Sequence, residues 1–217
     1  FKQNVLTRET LYPNILKTAY AVRGQVVILA DKIRQDMKNG VKMPFNDMVY
    51  CNIGNPQQLG QQPLTFFRNV LSSVLSPELI PLSEQHKFFK PDVARRARTI
   101  LSTIDGNSGA YTHSQGMQSV RQHVSEFIKQ RDGVPQGPQL ENIFLTDGAS
   151  VGVRLMIQAL IRNSNDGIMI PIPQYPLYSA GIAMCGGQQV NYYLDEKSGW
   201  GLSMEELERS YAEATKR

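Results

Sequence analysis

From Asn142 onward the chain alternates short apolar runs with amphipathic stretches, and this alternation constrains the fold more than any other feature. Ile143-Phe144-Leu145-Thr146 has the length and apolar character of a buried strand, Asp147-Gly148 reads as a turn, and Val151 to Ile161 has a helical period. Two more strand-like runs, Gly167 to Pro173 and Gln189 to Leu194, flank a helical stretch that follows Pro176. The order is therefore β-α-β-α-β. Strands that alternate with helices pair in parallel through crossover connections, which predicts an α/β fold with helices covering the sheet. Three strands are few for such a sheet. The last stretch, Met204 to Thr215, is a helix of the kind that leads into another strand.

The N-terminal half is helical in pattern. Ile15, Ala19, Val22, Val26, Ala30, Ile33 and Met37 recur every three or four positions between Pro13 and Gly40, which predicts one long amphipathic helix. Further helical patterns cover about Thr65 to Leu75, Val93 to Ser102 and Met117 to Arg131. In the last of these, Val120, Val124, Phe127 and Ile128 share a face before Gly133 stops the helix. Loops rich in Gly, Pro, Asn and Gln join them. There is no internal repeat, low-complexity tract or linker between self-sufficient domains.

Composition narrows the function classes. A chain of 217 residues with 41% apolar residues can bury a substantial core, and no run approaches the roughly 18 to 20 apolar residues of a membrane span. The start, Phe1-Lys2-Gln3-Asn4, has neither a Met nor a signal-peptide core, so the chain is expected to begin inside a longer protein. Cys51 and Cys185 stand far apart without metal-ligand spacing, as expected of reduced thiols in an intracellular protein, cytoplasmic or mitochondrial. The net charge of +4 invites a nucleic-acid reading. The dense basic run, Arg95-Arg96-Ala97-Arg98, instead lies in a helical pattern without interleaved stacking aromatics, which points to a solvated helix face and to no nucleic-acid partner. His86, His113 and His123 match no metal or triad spacing, so no metal site is expected.

Two segments carry candidate chemistry. In Leu145-Thr146-Asp147-Gly148-Ala149-Ser150 a glycine turn joins a strand to a helix, so backbone N–H groups and the positive helix end converge into an anion cradle. The Ser150 hydroxyl either caps the helix or faces a phosphate oxygen, and geometry leaves both open. The turn matches neither GxxxxGK[ST] nor GxGxxG, so a nucleoside triphosphate or a dinucleotide is not indicated. Ile170-Pro171-Ile172-Pro173-Gln174-Tyr175-Pro176 then ends the next strand, where open α/β sheets place their ligands. Prolines on both sides of Gln174-Tyr175 restrict the backbone. Tyr175 is either a rim or core tyrosine or an aromatic face for a flat, phosphorylated ligand.

Two earlier loops complete a set. Taken in order, the stretch Tyr50 to Gln61 around Asn52-Ile53-Gly54-Asn55-Pro56, the loop Gly109-Ala110-Tyr111-Thr112-His113-Ser114-Gln115-Gly116, the cradle Asn142 to Ser150 and the run Ile170 to Ser179 resemble fold-type I pyridoxal-phosphate aminotransferases over nearly the whole chain. The likeness is closest to the alanine aminotransferases. It implies a three-layer α-β-α fold with a mainly parallel sheet, incomplete in this chain. Residues 1–55 would form an N-terminal arm and the first part of the small domain, and residues 56–217 the first half of the large cofactor-binding domain. It further implies that the amides of Ala149 and Ser150, with the Ser150 hydroxyl, bind the phosphate of pyridoxal 5'-phosphate. Tyr175 would stack on the pyridine ring, Gly54 would lie beside the substrate carboxylate, and Tyr111 would reach the phosphate of the neighbouring subunit in a homodimer with shared active sites.

The implied activity is transfer of an amino group between L-alanine and 2-oxoglutarate, giving pyruvate and L-glutamate. Glyoxylate-using relatives share these motifs, and a catalytically silent scaffold on the same half-fold is the rival from another class. The resemblance places the Schiff-base lysine and the carboxylate-binding arginine after residue 217, so no catalytic residue is expected within this chain and the chain alone is expected to be inactive. Lys90, Lys129 and Lys197 fall in polar, loop-like or helix-face settings unlike that of a desolvated amine. Asp147 stands where many related aminotransferases carry an uncharged residue. A carboxylate aimed at a phosphate repels it, so Asp147 is expected to turn toward a backbone amide.

Overall fold

The computed structural model describes residues 7–20, 24–104 and 107–216 and divides into two compact units, Phe1–Gly54 with Asp147–Arg217, and Asn55–Thr146. In the first unit, α1 (Pro13–Lys17) and α2 (Gln25–Lys38) replace the single long helix expected from the period. Thr18 turns to extended backbone at ψ 120°, and Gly24 is extended again before α2 starts, so the ladder is broken; Val22 lies outside the described residues. α2 buries none of its residues, which fits its low average hydrophobicity.

The functional half of this unit runs α7 (Ala149–Leu160), β1 (Gly167–Ile172), α8 (Leu177–Cys185), β2 (Gln188–Tyr193) and α9 (Met204–Ala214). β1 and β2 pair in parallel, from Gly167 opposite Gln188 to Ile172 opposite Tyr193, with α8 as the crossover. Ile157 and Ile161 of α7, Ile170 of β1 and Ile182 of α8 form the core, and Ile182 is 1% exposed. α9 is fastened to β2 by polar contacts at both ends of the strand's second half. The buried Ser210 hydroxyl donates to Asn191 O at 2.8 Å, and the Tyr193 amide donates to the Glu206 carboxylate at 2.9 Å. Arg209 and that amide together hold the Glu206 carboxyl down at about 2, the guanidinium being the larger cause.

The second unit contains α3 (Thr65–Leu75), α4 (Leu79–His86), α5 (Pro91–Leu101) and α6 (Gln118–Asp132). Val70 and Val74 of α3, Ile80 of α4, and Val93, Ala94 and Ala97 of α5 pack into its core. On α5 the buried residues leave Arg95, Arg96 and Arg98 exposed, and Arg98 makes a two-pronged pair with Glu84 at 2.5 and 2.7 Å. The basic run is thus a solvated helix face.

One further expectation is corrected. Ile143 to Thr146 is not a strand: Ile143 is buried, but Phe144 is 68% exposed, and the ladder of amides that defines a strand is absent, with Leu145 bonded instead to Gln115 O at 2.9 Å. The sheet therefore has two strands among the described residues. On α6 Val120 and Phe127 are exposed, at 38% and 61%, Val124 and Ile128 are half-buried, and the buried residue is Arg121.

Candidate functional site

The start of α7 is set by Gly148. Its backbone, at φ 82° and ψ 172°, lies in a region that is nearly glycine-only, and a Cβ added there would stand in open space. Gly148 is the N-cap residue and no side chain caps the helix, so Ser150, the second helical residue, is not a cap. Ala149 and Ser150 are both exposed. First-turn amides have no intrahelical acceptor and sit at the positive helix end, so these two residues offer N–H groups and one hydroxyl to an anion arriving from solvent. Asp147 is exposed beside them, and among the described residues its carboxylate accepts no hydrogen bond. The expected contact with a backbone amide is not made.

Tyr175 follows β1 after a cis Ile172–Pro173 peptide. The turn is tied across itself: Gln174 Nε2 donates to Ser179 Oγ at 3.0 Å, and Ser179 Oγ donates to Pro176 O at 3.2 Å. The Tyr175 ring is half exposed and meets Tyr20 edge to face, with centroids 6.3 Å apart and the two hydroxyls 2.8 Å apart. That hydrogen bond, and then burial, raises the Tyr20 phenol above its ordinary pKa, while the charge of Arg154 pulls the other way. Arg154 lies one helical turn beyond Ser150 on α7, so the tyrosine pair is placed near the first turns of the same helix.

Gly54 closes the first segment of this unit, and a Cβ there would meet nothing within 4 Å. Tyr111 belongs to the second unit and is fully exposed. The fold thus gathers Ala149, Ser150, Tyr175 and Gly54 into one unit and leaves Tyr111 in the other. Tyr20 and Arg154 were not legible as site neighbours: Tyr20 stands 155 residues from its partner and carries no motif. A cleft of about 670 Å³, lined among others by Tyr12, Tyr20, Arg154 and Met184, includes none of Gly54, Tyr111, Ala149, Ser150 and Tyr175. Among the described residues no group of His, Cys, Asp and Glu could hold a metal ion, and no helix is long and apolar enough to cross a membrane.

The profile of the family described as aminotransferase class I and II matches residues 80–217. The chain is 51% identical, over 95% of its length, to "Alanine aminotransferase 2" of Panicum miliaceum and 50% identical, over 96%, to "Alanine aminotransferase 1, mitochondrial" of Arabidopsis thaliana. It is also 44% identical, over 96%, to "Glutamate--glyoxylate aminotransferase 1" of Arabidopsis thaliana. It spans 43%, 38% and 41% of the length of these three relatives. Among solved structures, an alanine aminotransferase from Pyrococcus furiosus superposes with a TM-score of 0.62 at 21% identity, covering 91% of this chain and 40% of that one. An aminotransferase from Escherichia coli gives 0.61 at 22% identity, covering 91% and 39%. These structural matches establish the fold: part of a fold-type I aminotransferase, α/β with a parallel sheet.

Proposed function

Because the chain belongs to the class I and II aminotransferases, we propose that the whole protein moves an amino group between L-alanine and 2-oxoglutarate, giving pyruvate and L-glutamate. The observation that carries this reading is the 51% identity to an alanine aminotransferase over 95% of the chain. The residues present fit the family's cofactor, pyridoxal 5'-phosphate. An uncapped helix start with exposed Ala149 and Ser150 suits the phosphate, and a half-exposed tyrosine in the same unit suits the ring. When bound, that cofactor supplies the electron sink for chemistry at the amino-acid α-carbon.

The chain's own residues then have separate tasks. The Ala149 and Ser150 amides and the Ser150 hydroxyl hold the phosphate, Tyr175 lays its ring on the pyridine, and Gly54 leaves room beside the substrate carboxylate. Tyr111 reaches the phosphate of a second copy, so the working unit is a homodimer with shared sites. In that assembly residues 1–55 serve as arm and first part of the small domain, and residues 56–217 as the first half of the large domain. An intracellular location accords with the relatives, several of which are named mitochondrial.

The test is a transamination assay on the whole protein, with L-alanine as donor and either 2-oxoglutarate or glyoxylate as acceptor. A higher kcat/KM with 2-oxoglutarate is expected. The opposite preference would favour the glutamate–glyoxylate reading suggested by the Arabidopsis relative, and no turnover with any acceptor would favour a silent scaffold.

Tyr175 provides an independent check. Tyr175→Ala should weaken cofactor retention by about 0.5 to 1.5 kcal/mol, the worth of an aromatic pair beyond area burial, whereas Tyr175→Phe should be mild although it removes the bond to Tyr20. Equilibrium dialysis against pyridoxal phosphate measures both. Equal, severe unfolding of the two variants would show instead that the hydroxyl pair is structural.

A further inference from the structure

Arg121 is the one charged side chain buried among the described residues, at 6% exposure, and none of its hydrogen-bond partners is a carboxylate. Its Nε donates to Gly116 O at 3.1 Å, and its Nη1 donates to Leu140 O at 2.7 Å and, more weakly, to Gln115 Oε1 at 3.5 Å. Burying a guanidinium against neutral carbonyls is costly, and a planar fork is what lets one side chain serve two backbone segments at once. The segments it joins are the end of the Gly109 to Gly116 loop and the turn at Leu140. A second strap runs alongside, since Gln115 Nε2 donates to Glu141 O at 2.7 Å and Gln115 O accepts from the Leu145 amide at 2.9 Å. The start of the loop is a tight turn: Asn107 Oδ1 accepts the Gly109 amide at 2.8 Å, and Asn107 O accepts the Ala110 amide at 3.0 Å.

Between this turn and the clamped end stands Tyr111, whose relative exposure of 107% means that none of the described residues covers its side chain. A loop turned on itself at its start and clamped at its end, with its aromatic residue presented, is a pre-ordered contact, in which the entropy of ordering is lost on folding rather than on binding. We propose that Arg121 is a positioning residue, which clamps the end of the Tyr111 loop so that the phenol stands ready for the cofactor phosphate of the partner subunit. The inference rests on the role given to Tyr111 under the proposed function.

The test is a double-mutant cycle in the whole protein, with Arg121→Gln, Tyr111→Phe and the pair, read as the dissociation constant for pyridoxal phosphate. Each single change should weaken binding about tenfold or more, the size of one hydrogen bond to a charged group, and the double variant should be no weaker than Tyr111→Phe alone. Hydrogen exchange of the cofactor-free protein should show the Gly116 and Leu145 amides opening faster in Arg121→Gln. If Arg121→Gln weakens binding equally in both backgrounds, the residue supports the fold generally and the inference is wrong, while the role of Tyr111 stands. If Tyr111→Phe has no effect, the role of Tyr111 itself fails. Should Arg121→Gln not fold, Gln115→Ala, which removes the strap to Glu141 O, takes its place in the same cycle with the same expectations.

Discussion

Gly116→Ala should destabilise the protein by about 4 kcal/mol, a large share of the roughly 5 to 15 kcal/mol that holds a domain together. Two costs add. Gly116 sits at φ 97°, where a side chain strains the backbone by about 1 to 3 kcal/mol. Its new Cβ would also lie 2.5 to 2.7 Å from Leu145 Cδ1, Cβ and Cγ. Leu145 cannot withdraw freely, because its amide is bonded to Gln115 O and the approaching atoms include its own Cβ; overpacking of this kind costs about 1 to 3 kcal/mol more. Gly133→Ala is the control. It has φ 64°, but a Cβ there meets nothing within 4 Å, so it should cost only the backbone part, about 1 to 2 kcal/mol. Chemical denaturation of the whole protein separates the two. Equal midpoints for both variants would mean that Leu145 does not press on Gly116 and that the loop end is looser than described.

Mixing two inactive variants should restore activity if Tyr111 serves the partner's site. One variant of the whole protein carries Tyr111→Ala, and the other has its Schiff-base lysine replaced. After each homodimer is shown to be folded and poorly active, the two are mixed under conditions where subunits exchange. A hybrid dimer then holds one site with the lysine of the first chain and the tyrosine of the second, while the other site carries both defects. Activity should climb toward half that of a wild-type dimer per hybrid. Among the described residues the Tyr111 side chain is fully exposed, which leaves its phenol able to donate to a phosphate. Activity that stays at the weighted mean of the two parents, with exchange confirmed, would assign Tyr111 to its own subunit.

The Tyr111 loop also shows how unevenly the sequence speaks. Its glycines announced a loop, and the family resemblance gave the tyrosine a role. Nothing in the local pattern points to Arg121, which reads as one more polar residue on a helix with an apolar face from Val120 to Ile128. The buried arginine becomes visible only when the carbonyls of Gly116 and Leu140, distant by 5 and 19 residues, are brought to it. The same holds for Tyr20, whose contact with Tyr175 spans 155 residues.

What the sequence determined by itself is the set of local elements. The expected helices at Thr65 to Leu75, Val93 to Ser102, Val151 to Ile161 and Met204 to Thr215, and the strands at Gly167 and Gln189, fall within about two residues of α3, α5, α7, α9, β1 and β2, because hydrophobic period and turn residues act over a few positions. The glycine turn into α7 was equally legible, since Gly148 needs only its own dihedral angles to start the helix. Tertiary structure decided the rest. The period from Ile15 to Met37 did not reveal the break at Thr18, and the apolar run Ile143 to Thr146 did not reveal that it lacks a ladder partner. A helix is completed by bonds within its own segment, so it can be read from that segment. A strand and a buried cation are completed by groups elsewhere in the chain, and only the folded arrangement supplies them.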